Sequence, residues 1–280
     1  MIKKIFALLA VCISITSFAA PLQERKIDPS ALLKLTSALS IDKDKDLIAQ
    51  TQEQWLRSKG QERWQVREIA SDKRKIVLDW SKENGLFDDW KPCQNHYDKA
   101  LILGCSTKLM QARFDHLVKL WNEGIRFNEI VWLTGDRPLN KYVDHMLNRC
   151  NNESQAARIM WEETLIPKEM QELKVTFIAV PMHSAKGKNK RPNTRDTIIA
   201  WAESESTPCQ ALFISDQPFC GYQYAVIEES LPKSFGFDVA GKGLEEARAM
   251  KHPLAGAIIL DSMARWIYQE NLNQQEHTGN

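Results

Sequence analysis

The sequence lacks the features that mark several common classes of protein. It has almost no net charge, because 37 lysines and arginines stand against 36 aspartates and glutamates. A general affinity for nucleic acid is therefore not expected. Beyond the N-terminal segment, no stretch approaches the roughly 20 consecutive apolar residues that a transmembrane helix needs. We therefore expect no membrane span once that segment is removed.

Several catalytic signatures are also absent. No predicted strand is followed by the Gly-x-Gly-x-x-Gly turn of dinucleotide-binding proteins, and Gly187-Lys188 lacks the spacing and the Ser or Thr of a P-loop. There is no Gly-x-Ser-x-Gly elbow. The distance along the chain from Cys105 to Arg113 is longer than in the loop of a cysteine phosphatase. Cys105 is accordingly interpreted as a small buried or disulfide-bonded residue rather than a nucleophile.

Metal-binding and redox motifs are missing as well. The six histidines have no metal-ligand spacing, so no metal site is predicted, and the residues identify no cofactor. No two cysteines form a Cys-x-x-Cys pair. Loss of a signal peptide that contains Cys12 would leave an odd number of cysteines, of which at least one is unpaired or paired between chains. Those cysteines are Cys93, Cys105, Cys150, Cys209 and Cys220.

The N-terminus has the pattern of a secretory signal peptide. Lys3 and Lys4 form a basic start, residues 5–18 are mostly apolar, and Ser17 and Ala19 supply small residues near a cleavage point. We predict a signal peptide over residues 1–19, cleavage near Ala19, and a periplasmic or secreted protein.

Residues 20–92 are predicted to form a helical N-terminal extension. Asp28-Pro29 is typical of a helix start, with Pro at the first helical position. Further amphipathic segments follow up to the boundary at Lys91-Pro92-Cys93. Helices that brace the next domain are the favoured interpretation of this region. A recognition surface built from its tryptophans, including Trp55 and Trp64, is the alternative.

From residue 93 onward, strands alternate with helices. The strands are predicted at 98–103, 129–134, 175–180 and 211–215, with a short fifth at 237–240. This alternation favours right-handed crossovers and an α/β fold, a Rossmann-like parallel sheet flanked by helices, over residues 93–270. The last helix is predicted to begin near Pro253. Residues 271–280 are expected to be a polar, frayed tail.

Polar residues collect at the predicted strand ends, where open α/β sheets bind their ligands. The central stretch runs from Asp98 to Ser106 and leads into a helix with Arg113. Basic residues precede a further helix near Thr194, where an anion would be stabilised, although a solvated mobile loop is an equal alternative. The other strand-end segments are Thr134-Gly135-Asp136-Arg137, Glu153, Arg191-Pro192-Asn193 and Ser215-Asp216-Gln217.

In their order, these segments resemble the YdcF/SanA/ElyC family, also called domain of unknown function 218. The likeness covers residues 98–245 and leaves the N-terminal helices unexplained. It implies a Rossmann-like fold and work at the bacterial envelope, on a nucleotide-like or lipid-carrier phosphate ligand. The matching positions are Leu103-Gly104, Arg113, Thr134-Gly135, Glu153, Asn193-Thr194 and Ser215.

The sequence departs from that family in two places. Asp196-Thr197 stands where the family has Glu-Asn, and residues 217–223 lack the family's His and Arg after the fourth strand. If that His or Arg is catalytic in relatives, the departure favours binding without turnover. A non-catalytic periplasmic or secreted module that binds a ligand or a partner is therefore the alternative function.

The first hypothesis is an exported protein that binds a small anionic ligand, phosphate-bearing or nucleotide-like. Arg113 and Arg191 would clamp the anion, and Gly104 and Gly135 would allow close approach of the backbone. Glu153 or Asp196 would act as base, with His183 as a further acid/base candidate. Asn193 would orient the ligand. The remaining predicted ligand-binding residues are Ser106, Thr134, Thr194 and Ser215.

Overall fold

The computed structural model describes residues 25–185 and 188–278. The predicted signal peptide, residues 1–19, lies outside them. In the described part of the chain, no helix has the length and apolar character needed to cross a membrane.

Within these residues the chain forms ten α-helices, seven β-strands and one 3₁₀ turn, Arg63–Gln65. In chain order the elements are α1 Pro29–Ala38, α2 Leu47–Gln54, α3 Ser71–Glu83, β1 His96–Leu103, α4 Thr107–Asn122, β2 Arg126–Gly135, α5 Glu153–Glu163, α6 Lys168–Gln171, β3 Lys174–Val180, β4 His183–Ala185, β5 Lys188–Lys190, α7 Thr194–Ser204, β6 Gln210–Asp216, α8 Cys220–Ser230, β7 Gly236–Lys242, α9 Glu246–Lys251 and α10 Ala255–Thr278.

Five strands form one parallel sheet in the order β3-β2-β1-β6-β7. This confirms the predicted α/β fold, a Rossmann-like parallel sheet flanked by helices. The chain winds from β1 through β2 to β3 on one side and returns to β6 and β7 on the other. The direction of winding therefore reverses between β1 and β6. In open parallel sheets, ligands bind outside the carboxyl ends of the strands at such a reversal.

Both faces of the sheet are buried, which explains the continuous apolar run in β1. Ala100 and Ile102 belong to a core that also contains side chains of α4 and α5. Leu101 and Leu103 belong to a second core on the other face, with side chains of α7 and α8. Covered in this way, β1 is held as the central strand of the sheet.

Local helix signals are confirmed where side chains satisfy helix ends. The Asp28 carboxylate accepts hydrogen bonds from Ser30 N at 2.7 Å and Ala31 N at 3.4 Å, with Pro29 as the first residue of α1. After α4, Gly124 has a φ of +101°, a conformation that favours glycine. The local sequence pattern thus correctly predicts the start of α1 and the end of α4.

The N-terminal helices pack on α10 rather than standing apart. Leu35 of α1 and Val77 of α3 share a third core with Ile259 and Met263 of α10. Trp55 and Trp80 are also buried in this core. The bracing role predicted for this region is confirmed. The alternative of a recognition surface that includes Trp55 is wrong, because the Trp55 indole is buried in this core and is not available to a partner.

Two segments differ from their sequence-based predictions. The expected frayed tail from Asn271 is wrong, since α10 continues to Thr278. Its Asn273 is buried, and Nδ2 donates at 2.9 Å to Ala225 O and to Glu228 Oε2. The polar C-terminal segment can therefore pack against α8, because its buried amide group is hydrogen-bonded there. The basic segment before α7 contains an antiparallel hairpin, β4 with β5, in place of a plain loop.

Candidate functional site

A cleft of about 640 Å³ lies at the carboxyl ends of the parallel strands, at the reversal between β1 and β6. Its walls come from the turn after β1, the loops after β2 and β6, and the start of α7. Residues between Lys242 and Arg265 line another side, and the N-terminal extension contributes residues between Arg57 and Trp64. The fold thus brings distant parts of the chain to one cavity.

Eight of the predicted site residues line this cleft, and four do not. Those in the cleft are Gly104, Ser106, Arg113, Gly135, Glu153, Arg191, Asn193 and Thr194. The four outside the lining are Thr134, His183, Asp196 and Ser215.

Two glycines allow the close packing that shapes the cleft. A Cβ on Gly104 would lie 2.1 Å from Glu153 Oε1 and 2.6 Å from Leu133 O. A Cβ on Gly135 would lie 2.7 Å from Pro192 Cγ. Gly104 therefore makes room for the Glu153 carboxyl group. Both glycines leave room for neighbouring groups of the protein itself. The sequence predicts instead that they let the backbone approach a ligand closely.

Glu153 is the first residue of α5, and Asn152 caps that helix by accepting from Gln155 N at 2.9 Å. Glu153 is 4% exposed, and its carboxyl group contacts Arg137 Nε at 2.6 Å. It also accepts a hydrogen bond from Gly135 N at 3.4 Å. Burial raises the pKa of Glu153 to about 7, against the opposing effect of Arg137. The group can therefore gain or lose a proton near neutral pH.

Arg137 joins the loop after β2 to the turn after β1. It contacts Asp144 Oδ2 at 2.9 Å, and its Nη2 donates to Cys105 O at 2.8 Å. Asp144 in turn accepts from Thr107 N, the first residue of α4, at 2.8 Å. Despite the cost of burial, these contacts together with Glu153 raise the pKa of Arg137. This network fixes the orientation of Glu153.

Arg113 is held inside the protein and is not a free clamp for a ligand. The side chain is 1% exposed, and Nε and Nη2 contact Asp216 Oδ1 at 2.6 and 2.5 Å. Nη1 donates to Leu103 O at 2.6 Å. The pair joins α4 to the carboxyl ends of β1 and β6. Asp216 lines the cleft beside it.

The start of α7 is held by a reciprocal capping arrangement. The Asn193 side chain accepts from Asp196 N at 3.2 Å, and Asp196 Oδ2 accepts from Asn193 N at 2.8 Å. His183 Nε2 lies 3.5 Å from the same Asp196 oxygen. The structure thus gives Asp196 a capping role and places it and His183 away from the lining of the cleft, so it offers no support for their predicted acid/base roles.

Thr134 and Ser215 are buried, and both hydroxyl groups have partners within the protein. Thr134 Oγ1 donates to Ile178 O of β3 at 3.1 Å. Ser215 Oγ donates to Gln223 Oε1 of α8. The Thr134 hydroxyl group is bonded to the neighbouring strand and the Ser215 hydroxyl group to a covering helix. Because side chains alternate between the two faces of a sheet, position at a strand end does not by itself turn a side chain toward the cleft. Neither residue lines the cleft, so the predicted ligand-binding roles of Thr134 and Ser215 find no support.

Cys105 is a protonated thiol in this environment. Burial raises its pKa to about 12. A thiol with that pKa is a poor nucleophile at neutral pH, which agrees with the interpretation of Cys105 as a structural residue.

Cations outnumber carboxylates in the cleft. Nine arginine and lysine side chains line it, against the four carboxylates of Glu62, Glu153, Asp216 and Glu245. Three of those carboxylates already pair with a lining arginine, and two other lining arginines bind Asp261. Among the described residues, four lining cations have no ion pair with a carboxylate, namely Arg63, Lys108, Lys242 and Arg248.

The sequence pointed to some of these residues and missed others. Arg137 and Asp216 stand at strand ends, and that position marks them as candidates for the site, although the sequence indicates no specific role for either. Arg63 lies in the N-terminal extension and reaches the cleft only through tertiary packing. No local sequence pattern around residue 63 predicts that Arg63 lines the cleft.

Comparison with family models, with curated proteins and with solved structures finds no match for this chain. The resemblance to the YdcF/SanA/ElyC family therefore rests on the sequence motifs alone.

Proposed function

We propose that this protein binds a small anionic ligand, phosphate-bearing or nucleotide-like, in the cleft between the carboxyl ends of β1 and β6. The observation that carries the proposal is the excess of nine lining cations over four carboxylates. An excess of one sign of charge in a cleft with low-dielectric walls concentrates ligands of the opposite sign, and four of the lining cations have no carboxylate partner among the described residues. The chain as a whole is nearly neutral, so the positive charge is a property of this cavity.

The apolar part of the cleft supports an organic ligand rather than a bare inorganic anion. Trp64, Leu109 and Val143 line it together with Leu254 and Ile258. Binding sites for small molecules are commonly apolar with a few placed polar groups. A phosphate attached to a base, sugar or alkyl body fits both the charged and the apolar lining.

Binding without turnover is the second candidate function. Arg113, Glu153 and Asn193 converge on the one cleft, as an enzyme would require. Each of them is nevertheless engaged within the protein, with Asp216, Arg137 and Asp196 respectively. That engagement favours a binding module, whereas the titration of Glu153 near pH 7 favours proton transfer. The predicted signal peptide and the family resemblance support a role in envelope-related metabolism for either one.

Thermal denaturation of the purified protein tests the proposal. The probes are inorganic phosphate, AMP and decyl phosphate, each added in excess. A ligand at 100 times its dissociation constant stabilises by about 2.7 kcal/mol, and for a chain of this size that is a shift of several degrees. We expect AMP or decyl phosphate to give such a shift and inorganic phosphate a smaller one.

Matched charge reversals locate the binding. Lys108 lines the cleft, whereas Lys73 is an exposed lysine of α3 outside its lining. Lys108→Glu should reduce the shift, and Lys73→Glu should leave it unchanged. The proposal fails if no probe stabilises the wild-type protein, or if both variants retain the full shift.

A further inference from the structure

Arg63 is the cation most deeply placed among those of the cleft that lack a carboxylate. It belongs to the 3₁₀ turn Arg63–Gln65 of the N-terminal extension, a region that the family resemblance leaves unexplained. Its guanidinium carbon lies 3.6 Å from the centre of the Phe219 ring. Phe219 is buried and immediately precedes α8. The stacking therefore brings Arg63 to the reversal between β1 and β6.

The guanidinium group of Arg63 has unused hydrogen-bonding capacity. Its Nε is buried and has no hydrogen-bond partner among the described residues. The carboxylate with the largest electrostatic effect on it is Asp216, whose Oδ1 is already bound by Arg113. Burial lowers the pKa of Arg63 to about 10, so the side chain remains charged at neutral pH. A buried donor without an acceptor is rare and calls for an explanation.

The segment that carries Arg63 is fixed on both sides. Before it, Arg57 contacts Asp261 of α10, and its Nε donates to Gln61 O at 2.9 Å. Glu62 contacts Arg191 Nη2 at 2.9 Å, next to the start of α7. Glu62 and Gln65 also cap the 3₁₀ turn reciprocally. These contacts hold the backbone, so the position of the guanidinium group is set in advance of any ligand.

We infer that Arg63 is the residue that binds the anionic group of the ligand, and that the N-terminal extension thereby completes the site. The inference rests on the proposed function. Of the two arginines expected from the sequence, Arg113 is buried against Asp216, and Arg191 pairs with Glu62 through Nη2 at the exposed edge of the cleft. A planar guanidinium group with free N–H donors matches a phosphate or carboxylate in a bidentate arrangement. Arg63 lines the cleft, and among the described residues it has no carboxylate partner.

The test measures the affinity for AMP and decyl phosphate by titration calorimetry in the full chain. The variants are Arg63→Ala and Arg63→Gln, which remove the charge and the fork of donors. Arg158→Ala is the matched control, because Arg158 stacks on Phe177 at 4.4 Å outside the lining of the cleft. The loss of charge-assisted hydrogen bonds should weaken binding by about 10- to 100-fold in both Arg63 variants. The control should bind as the wild type does.

Melting temperatures without ligand separate binding from a structural role. Arg63→Ala and Arg158→Ala each remove one stacked arginine, so we expect similar melting temperatures for the two. The assignment is overturned if a folded Arg63→Gln variant binds as tightly as the wild type, or if neither Arg63 variant folds. If both Arg63 variants bind AMP or decyl phosphate with the affinity of the wild type, only this inference is refuted. A wild-type protein that binds neither probe refutes the proposed function as well.

Discussion

Glu153 combines burial with a single arginine partner, and its protonation is the clearest pH-dependent feature of the cleft. Its pKa rises from an ordinary 4.5 to about 7 in the folded protein. The folded state therefore binds this proton more tightly than the unfolded state does. Stability from this group is present below pH 4.5 and is lost as the pH rises through about 7. The full difference is on the order of 3 kcal/mol.

We predict that wild type loses stability relative to Glu153→Gln as the pH rises over that window. Urea unfolding of both proteins at a series of pH values measures the difference. Glu163→Gln is the control on the same helix, since a hydrogen bond from Arg149 lowers the pKa of Glu163. Relative to Glu163→Gln, wild type should gain stability as the pH rises from the lowered pKa of Glu163 toward its ordinary value. A difference for Glu153→Gln that stays flat with pH would contradict the raised pKa.

At the scale of elements, the pair Arg113–Asp216 connects α4 to the end of β6. The arginine also bonds Leu103 O at the end of β1. All three elements meet where the winding of the sheet reverses, so this ion pair fixes the relative positions of the loops that line the cleft. If Arg113 were the free clamp that the sequence predicts, Arg113→Ala would abolish binding and leave the fold intact. The buried geometry predicts a different outcome.

We predict that Arg113→Ala destabilises the protein by about 3 to 5 kcal/mol, because it leaves the Asp216 carboxylate buried without its partner. The double variant Arg113→Ala/Asp216→Ala should recover part of that loss. Urea unfolding in a double-mutant cycle measures the coupling, with Arg158→Ala as the surface control. If Arg113→Ala unfolds within about 1 kcal/mol of wild type but loses ligand binding, Arg113 is a clamp after all.

For the molecule as a whole, the sequence predicts the sheet better than the site. The strands could be recognised because burial on both faces gives continuous apolar runs, as in Leu101–Leu103. Strand-end polar residues mark the correct edge of the sheet, and Gly104 and Glu153 do meet there. The direction of Thr134 and Ser215 depends on pleat and helix packing. The contact of Arg63 depends on how the extension folds back, which no local pattern encodes.

The N-terminal extension is an integral part of this molecule. One face of α10 is buried against α2 and α3, and it includes Ile259, Met263 and Ile267. Arg25 reaches further, with its Nη2 donating to Lys91 O at 2.6 Å and lying 3.6 Å from Asp238 of β7. Removing the extension would expose the apolar face of α10, and large exposed apolar patches cause aggregation.

We therefore predict that a chain beginning at residue 93 aggregates or loses fixed tertiary packing, whereas a chain beginning at residue 25 remains folded. Size-exclusion chromatography and near-ultraviolet circular dichroism distinguish the two outcomes. The shorter chain also lacks Arg63, so any folded fraction should fail to bind AMP or decyl phosphate. A monomeric shorter chain with native tertiary signals would contradict the role of the third core. In that case the extension would serve the cleft without being needed for the fold.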